Sequence, residues 1–118
     1  MMEFVTRAEG PFIVREFDYE NLYFKTAYAF IHVQIIPGVA YLHLYMQRFG
    51  SRVLREIHSD FECLKALMKH KGVTSLCGTH EVEGAEKWCK FLRLIGFGFV
   101  MDTVTPEGKP CKLTLMEI

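Results

Sequence analysis

No two of the four cysteines, Cys63, Cys77, Cys89 and Cys111, are spaced as a C-x-x-C pair. Cys77 and His80 lie three apart, but no second pair completes a zinc set, so metal chemistry is not expected. Reduced core thiols are the expectation rather than a disulfide framework. The N-terminus lacks a basic stretch followed by an apolar one, and no run approaches the roughly 18 apolar residues a membrane span needs. Repeats, low-complexity tracts and Pro/Gly-rich linkers are also missing. Charge of either sign is not in excess: basic and acidic residues balance at 14 each. That argues against a protein that binds nucleic acid mainly by neutralising phosphates, and it permits self-association, a homodimer included. A cytoplasmic protein without membrane or nucleic-acid partners is the expectation.

What the sequence has is core material. Of 118 residues, half are apolar and ten are Phe. One domain spanning 1–118 fits that length, with roughly two-thirds of its unfolded surface buried.

Phe12–Phe17 has the composition of a strand, and Asp18–Thr26 is open between loop and short helix. From Ala27 the pattern sharpens. Ala27–Ile36 is rich in aromatic and β-branched residues, Pro37-Gly38 makes a turn, and Val39–Met46 is a second strand of the same hairpin. Alternation puts Tyr41, His43 and Tyr45 on one face and Leu42, Leu44 and Met46 on the other. Large side chains on both faces suit a central strand covered on both sides.

A helix is expected over Ser51–Lys69, with Ser51 as N-cap. Val53, Ile57, Phe61, Leu64 and Met68 recur at helical spacing, with Leu54 and Leu67 widening the stripe. Lys65, Lys69, His70 and Lys71 gather at its end, where cations suit the helix dipole. After Gly72 comes a short strand, Val73–Cys77. A second helix, Glu81–Ile95, carries Trp88, Phe91, Leu92 and Ile95 as its packing stripe, and Gly96 is placed as a left-handed terminator. Phe97–Val104 and Cys111–Glu117 form a closing hairpin. The order hairpin, helix, strand, helix, hairpin gives an α/β fold whose mixed sheet has a central parallel pair and antiparallel edges.

Two stretches resemble GNAT-type N-acetyltransferases. Gln47-Arg48-Phe49-Gly50-Ser51-Arg52, between a strand and a long helix, is similar to the family's Q/R-x-x-G-x-G/A loop. Gln47 and Gly50 match; Arg52 stands where the family has Gly or Ala. Phe91-Leu92-Arg93-Leu94-Ile95-Gly96-Phe97 is similar to the family's second helix end, with Leu92 where a thiolate-protonating Tyr often sits. Small GNAT-like proteins of short-tailed bacteriophages share this F-L-x-x-I-G helix end.

The resemblance covers residues 39–118, the acyl-CoA-binding half. It implies that residues 1–38 are a shortened form of the part that shapes the acceptor site. It also implies acetyl-CoA as cofactor, with Gln47, Phe49, Gly50, Ser51 and Arg52 holding it. A helix start offers free N–H groups and a dipole end to a pyrophosphate.

Acyl transfer to an amine needs a proton acceptor, and His43, Tyr41 and His32 lie on or beside the strand that precedes the loop. The implied activity is N-acetylation of an amine on a small molecule or host protein. The alternative is a catalytically degenerate GNAT-like protein, a binding or inhibitory partner of a host enzyme or a virion component. The aromatic segment Tyr19–Phe30 would offer that protein an interaction surface.

Overall fold

The computed structural model describes residues 2–16, 19–48, 50–81, 85–104 and 108–118. Its strands are β1 (Glu3–Phe4), β2 (Glu20–Lys25), β3 (Ala29–Ile36), β4 (Val39–Met46), β5 (Ser75–Glu81), β6 (Gly98–Val104) and β7 (Pro110–Glu117). The helices are α1 (Ser51–His70) and α2 (Ala85–Leu94), and one 3-10 turn spans Arg7–Glu9. All seven strands join one sheet in the order β1-β2-β3-β4-β5-β7-β6. Only β4 and β5 run parallel; β7 inserts between β5 and β6 and pairs antiparallel with both. The fold class and the central parallel pair are as the sequence implies.

Helix α1 forms because its apolar residues return every three or four positions, and Ile57, Phe61, Leu64 and Met68 are buried while Val53, Leu54 and Leu67 pack at the margin. They meet Phe24, Ile31, Val33, Ala40, Leu42 and Leu76 of the sheet in one cluster. Phe91, Leu92, Ile95 and Phe97 belong to the same cluster, and the Phe61 and Phe97 rings meet edge to face at 6.1 Å. Both helices therefore serve one core. The end of α2 is the left-handed stop expected at Gly96 (φ 105): Phe97 N–H donates to Leu92 O at 2.8 Å and Gly96 N–H to Arg93 O at 3.1 Å.

Several sequence expectations need correction. Residues 12–16 are not a strand. Their backbone groups bond to side chains of the sheet: Ile13 and Val14 N–H donate to Tyr45 Oη, and Arg15 O accepts from Gln34 Nε2. Phe17 and Asp18 lie outside the described residues. Glu20–Lys25, inside the segment left open between loop and helix, is a strand in full register with β3. The parallel strand starts at Ser75 rather than Val73, because Val73 N–H donates to Met68 O and Thr74 N–H to Gly38 O. Gly50, not Ser51, is the N-cap of α1. Among the cysteines, Cys77 and Cys111 are buried, but Cys63 is exposed on α1. Most of the aromatic segment is not an exposed surface: Tyr19 is exposed, but Tyr23, Phe24 and Tyr28 are buried, because β2 and β3 present one row to the helices and the other to the 12–16 segment. Among the described residues, no helix is long and apolar enough to cross a membrane.

Candidate functional site

Two features of β4 define the site. The first is where its pairing ends. β4 and β5 are in register only at Val39↔Ser75, Ala40↔Leu76 and Tyr41↔Cys77. Beyond that last pair β4 runs on to Met46 and β5 to Glu81 without pairing with each other, so the two strands part. Leu42 O faces β5, since a Cβ built on Gly78 would lie 3.3 Å from it. Alternation turns the N–H and C=O groups of Leu44 and Met46 the same way, into the gap.

The second feature is the connection to α1. Gln47 and Arg48 N–H both donate to Tyr28 O, at 2.7 and 3.1 Å, which fixes where the chain leaves the sheet. Gly50 follows with φ 159 and ψ 172, a region that side-chain-bearing residues rarely enter, and among the described residues beyond its chain neighbours no atom lies within 4 Å of where its Cβ would be. It brings no side chain to cap α1, and the first turn of that 20-residue helix carries no acidic residue. Donors and dipole are thus left available there, with Gln47, Arg48 and Arg52 exposed around them. Phe49 lies outside the described residues, and of Ser51 only its place as the first helical residue is described.

Behind the loop stands Tyr28, whose O–H donates to Asp60 of α1 at 3.0 Å with both residues buried. Burial first, then Asp60, holds that phenol far above its ordinary range. Tyr28 is thus a fastener between β3, the loop and the helix.

On the sheet face opposite α1, the register sets His32 beside His43 and Gln34 beside Tyr41. His43 is half-buried and its Nε2 lies 2.8 Å from Gln34 Oε1. Burial lowers its pKa, so the ring is neutral at neutral pH and able to take a proton. Tyr41 stands beside Cys77 in the last pair before the strands part. The Cys77 thiol first, then burial, raises the Tyr41 pKa, so its phenol stays protonated. Burial likewise raises the Cys77 thiol, which argues for an inert thiol rather than an acyl acceptor.

His32 is a different case. It is 0% exposed, its pKa is lowered to about 4 by burial, then by His43 and Arg7, and its Nε2 lies 2.8 Å from Asn21 Oδ1. Sealed in this way, it cannot meet an acceptor amine.

The 12–16 segment straps this face. Phe12 contacts the rings of Tyr23 (4.7 Å), Phe30 (5.8 Å), His32 (6.2 Å) and Tyr45 (5.6 Å). Arg7 donates to Val14 O at 2.8 Å and to Tyr23 Oη at 3.0 Å, and Tyr23 O–H donates to Glu16. Spacing alone could not reveal Gln34 or the strap, since both depend on strand register. On α2, Leu92 is buried in the core cluster, where it packs rather than reacts.

No protein-family model matches the sequence, and no curated protein is similar to it by sequence. Solved structures are similar in fold. The ribosomal-protein-S18-alanine N-acetyltransferase from Escherichia coli superposes with a TM-score of 0.66 at 14% identity, over 100% of this chain and 93% of that one. A mutant spermidine N-acetyltransferase from Vibrio cholerae gives 0.65 at 12% identity, over 85% and 67% of the two chains. The aminoglycoside acetyltransferase AAC(6')-Ib, in complex with coenzyme A and kanamycin, gives 0.63 at 11% identity, over 82% of this chain and 65% of that one. The fold is that of the GNAT N-acetyltransferases.

Proposed function

We propose that the protein is an acyl-CoA-dependent N-acetyltransferase that uses acetyl-CoA in the gap between β4 and β5. The observation that carries this reading is the end of the β4–β5 ladder at Tyr41/Cys77, on the strand that leads to a helix start with no side-chain cap. An extended ligand that carries amides at one end and a pyrophosphate at the other suits that pair of features. The free backbone edge of Leu44 and Met46 serves the amides. The N–H groups from Phe49 to Arg52 serve the pyrophosphate, with Gln47 and the Arg52 guanidinium beside it.

Acetyl-CoA supplies an activated acyl carbon. His43 Nδ1 accepts the proton that the attacking amine loses as its nitrogen bonds to that carbon. The C–S bond breaks, and the Tyr41 O–H, at the apex of the gap, returns a proton to the departing thiolate. Tyr41 is thereby a proton donor rather than a base, a role supported by the raised pKa that keeps its phenol protonated. The acceptor is an amine of a small molecule or host protein. The host-protein option, like an origin in a short-tailed phage, rests on the F-L-x-x-I-G helix end.

One observation favours the second reading, a fold retained without catalysis in a binding or inhibitory partner of a host enzyme or in a virion component. Leu92 fills core at the position where the resemblance would put a proton-donating Tyr. Calorimetric titration with acetyl-CoA separates the two. Saturable binding at one site per chain is expected; no heat at millimolar ligand overturns the acetyltransferase reading.

A further inference from the structure

The orientation of the Gln34 amide is forced. Its Nε2 lies 3.0 Å from Arg15 O, and a carbonyl oxygen can only accept, so the amide nitrogen must face the strap. Its Oε1 is then the atom 2.8 Å from His43 Nε2. That oxygen also only accepts, so the hydrogen of the neutral imidazole resides on Nε2. The lone pair is left on Nδ1, which makes no hydrogen bond among the described residues.

The geometry points to Gln34 as a positioning residue that holds His43 in the Nε2–H tautomer, making Nδ1 its proton-accepting atom. This rests on the acetyltransferase reading only for the use to which that atom is put. The adjacent strand supplies an internal comparison. Asn21 Nδ2 donates to Tyr19 O at 2.8 Å, so Asn21 Oδ1 faces His32 Nε2 and fixes the same tautomer there. His32 Nδ1, however, is buried with no partner. Two imidazoles lie with ring centroids 5.3 Å apart, locked alike by amides, and of the two only His43 is partly exposed.

Both amides are oriented by carbonyls of the N-terminal segment, Arg15 and Tyr19. Gln34, oriented by that segment, thus does for His43 what a carboxylate does in a catalytic triad, but without a charge that would raise the imidazole pKa. The titratable and charged groups around His43 are His32 and Tyr23 from the neighbouring strands, Tyr41 and Tyr45 on its own strand, Cys77 from β5, and Arg7 and Glu16 from the N-terminal segment.

The test is nitrogen-15 NMR of the histidine rings of the full chain, with kcat/KM against pH on the same samples. In the wild type, His43 Nε2 should resonate as the protonated nitrogen and Nδ1 as the bare one. A bare Nε2 in the wild type overturns the proposal without any variant. Gln34→Leu should release the ring to a mixture of tautomers. Gln34→Glu should keep Nε2–H and raise the His43 pKa by about one pH unit or more, because a carboxylate stabilises the imidazolium. Tautomers unchanged in Gln34→Leu overturn the proposal, and if that variant does not fold, an unmoved pKa in Gln34→Glu does so.

The kinetic arm reads the acetyltransferase assignment separately. Gln34→Leu should lower kcat/KM on the order of tenfold or more, as wrong-tautomer variants do. In Gln34→Glu the acid limb of the profile should follow the NMR pKa. Expected NMR signals without acetyl-CoA binding sink the acetyltransferase reading while upholding the tautomer lock.

Discussion

Tyr28 and Asp60, separated by 32 positions in the chain, meet in a buried hydrogen bond of 3.0 Å that ties the start of β3 to the middle of α1. The same tyrosine's carbonyl receives the N–H groups of Gln47 and Arg48. The chain's exit from β4 toward α1 is therefore held at its root by one residue, which immediately precedes β3.

Replacing Tyr28 by Phe removes a buried donor to the Asp60 carboxylate while keeping the ring. The expected loss is roughly 1–3 kcal/mol of stability. It should appear as a lower urea midpoint at unchanged m-value. Equal midpoints would mean that the bond is replaced by solvent in the variant.

Phe12 is the anchor of the strap, packed against four rings with 7% of its surface exposed. Phe12→Ala should cost about 3 kcal/mol and release the segment before the sheet melts. Limited proteolysis should then cut near residues 11–16 in the variant and spare them in the wild type.

Acid should destabilise the protein in a defined window. The folded His32 pKa, lowered to about 4, lies below the ordinary 6.5. Between those values the unfolded chain binds a proton that the folded chain refuses. Stability is therefore undiminished above pH 6.5, falls as pH drops through the window, and levels off below about 4. His43, lowered as well, adds to the loss in the same direction. At about 1.4 kcal/mol per pH unit, the His32 share is on the order of 3 kcal/mol. Urea midpoints at pH 7 and pH 4.5 measure it, and His32→Leu should lose less across the same interval.

Gly50 combines a backbone conformation that side chains disfavour with open space around its Cα. Gly50→Val should abolish acetyl-CoA binding, because the branched side chain fills the space a pyrophosphate needs and strains the backbone by roughly 1–3 kcal/mol. Calorimetry on a variant shown by circular dichroism to be folded decides the matter; unchanged affinity would place the pyrophosphate elsewhere.

Much of this architecture was legible in the sequence where one local signal sufficed. The bounds of β4 followed from Pro37-Gly38 on one side and the polar Gln47-Arg48 on the other, and α1 followed from its spacing. The N-terminal third was not legible, for a physical reason. The backbone of residues 13–15 bonds to the side chains of Tyr45 and Gln34 instead of to another strand, so strand-like composition produces no strand. In β2, Tyr23 and Phe24 are both buried on opposite faces, which erases the alternation that marks a half-exposed strand. His43 and Tyr41 could be placed on one face by counting in twos. The Gln34–His43 bond could not, because it depends on the register between strands.

The end of the β4–β5 ladder gives a single strand two kinds of amide. Residues 43 and 45 send their N–H groups toward β3, inside a continuous antiparallel ladder, while Leu44 and Met46 send theirs into the gap. In deuterated water the strand should label in alternation, slow at His43 and Tyr45, fast at Leu44 and Met46. A ligand lying in the gap should slow the fast pair and leave the slow pair as it was. The strand would then record occupancy of the gap by isotope exchange, one residue out of two.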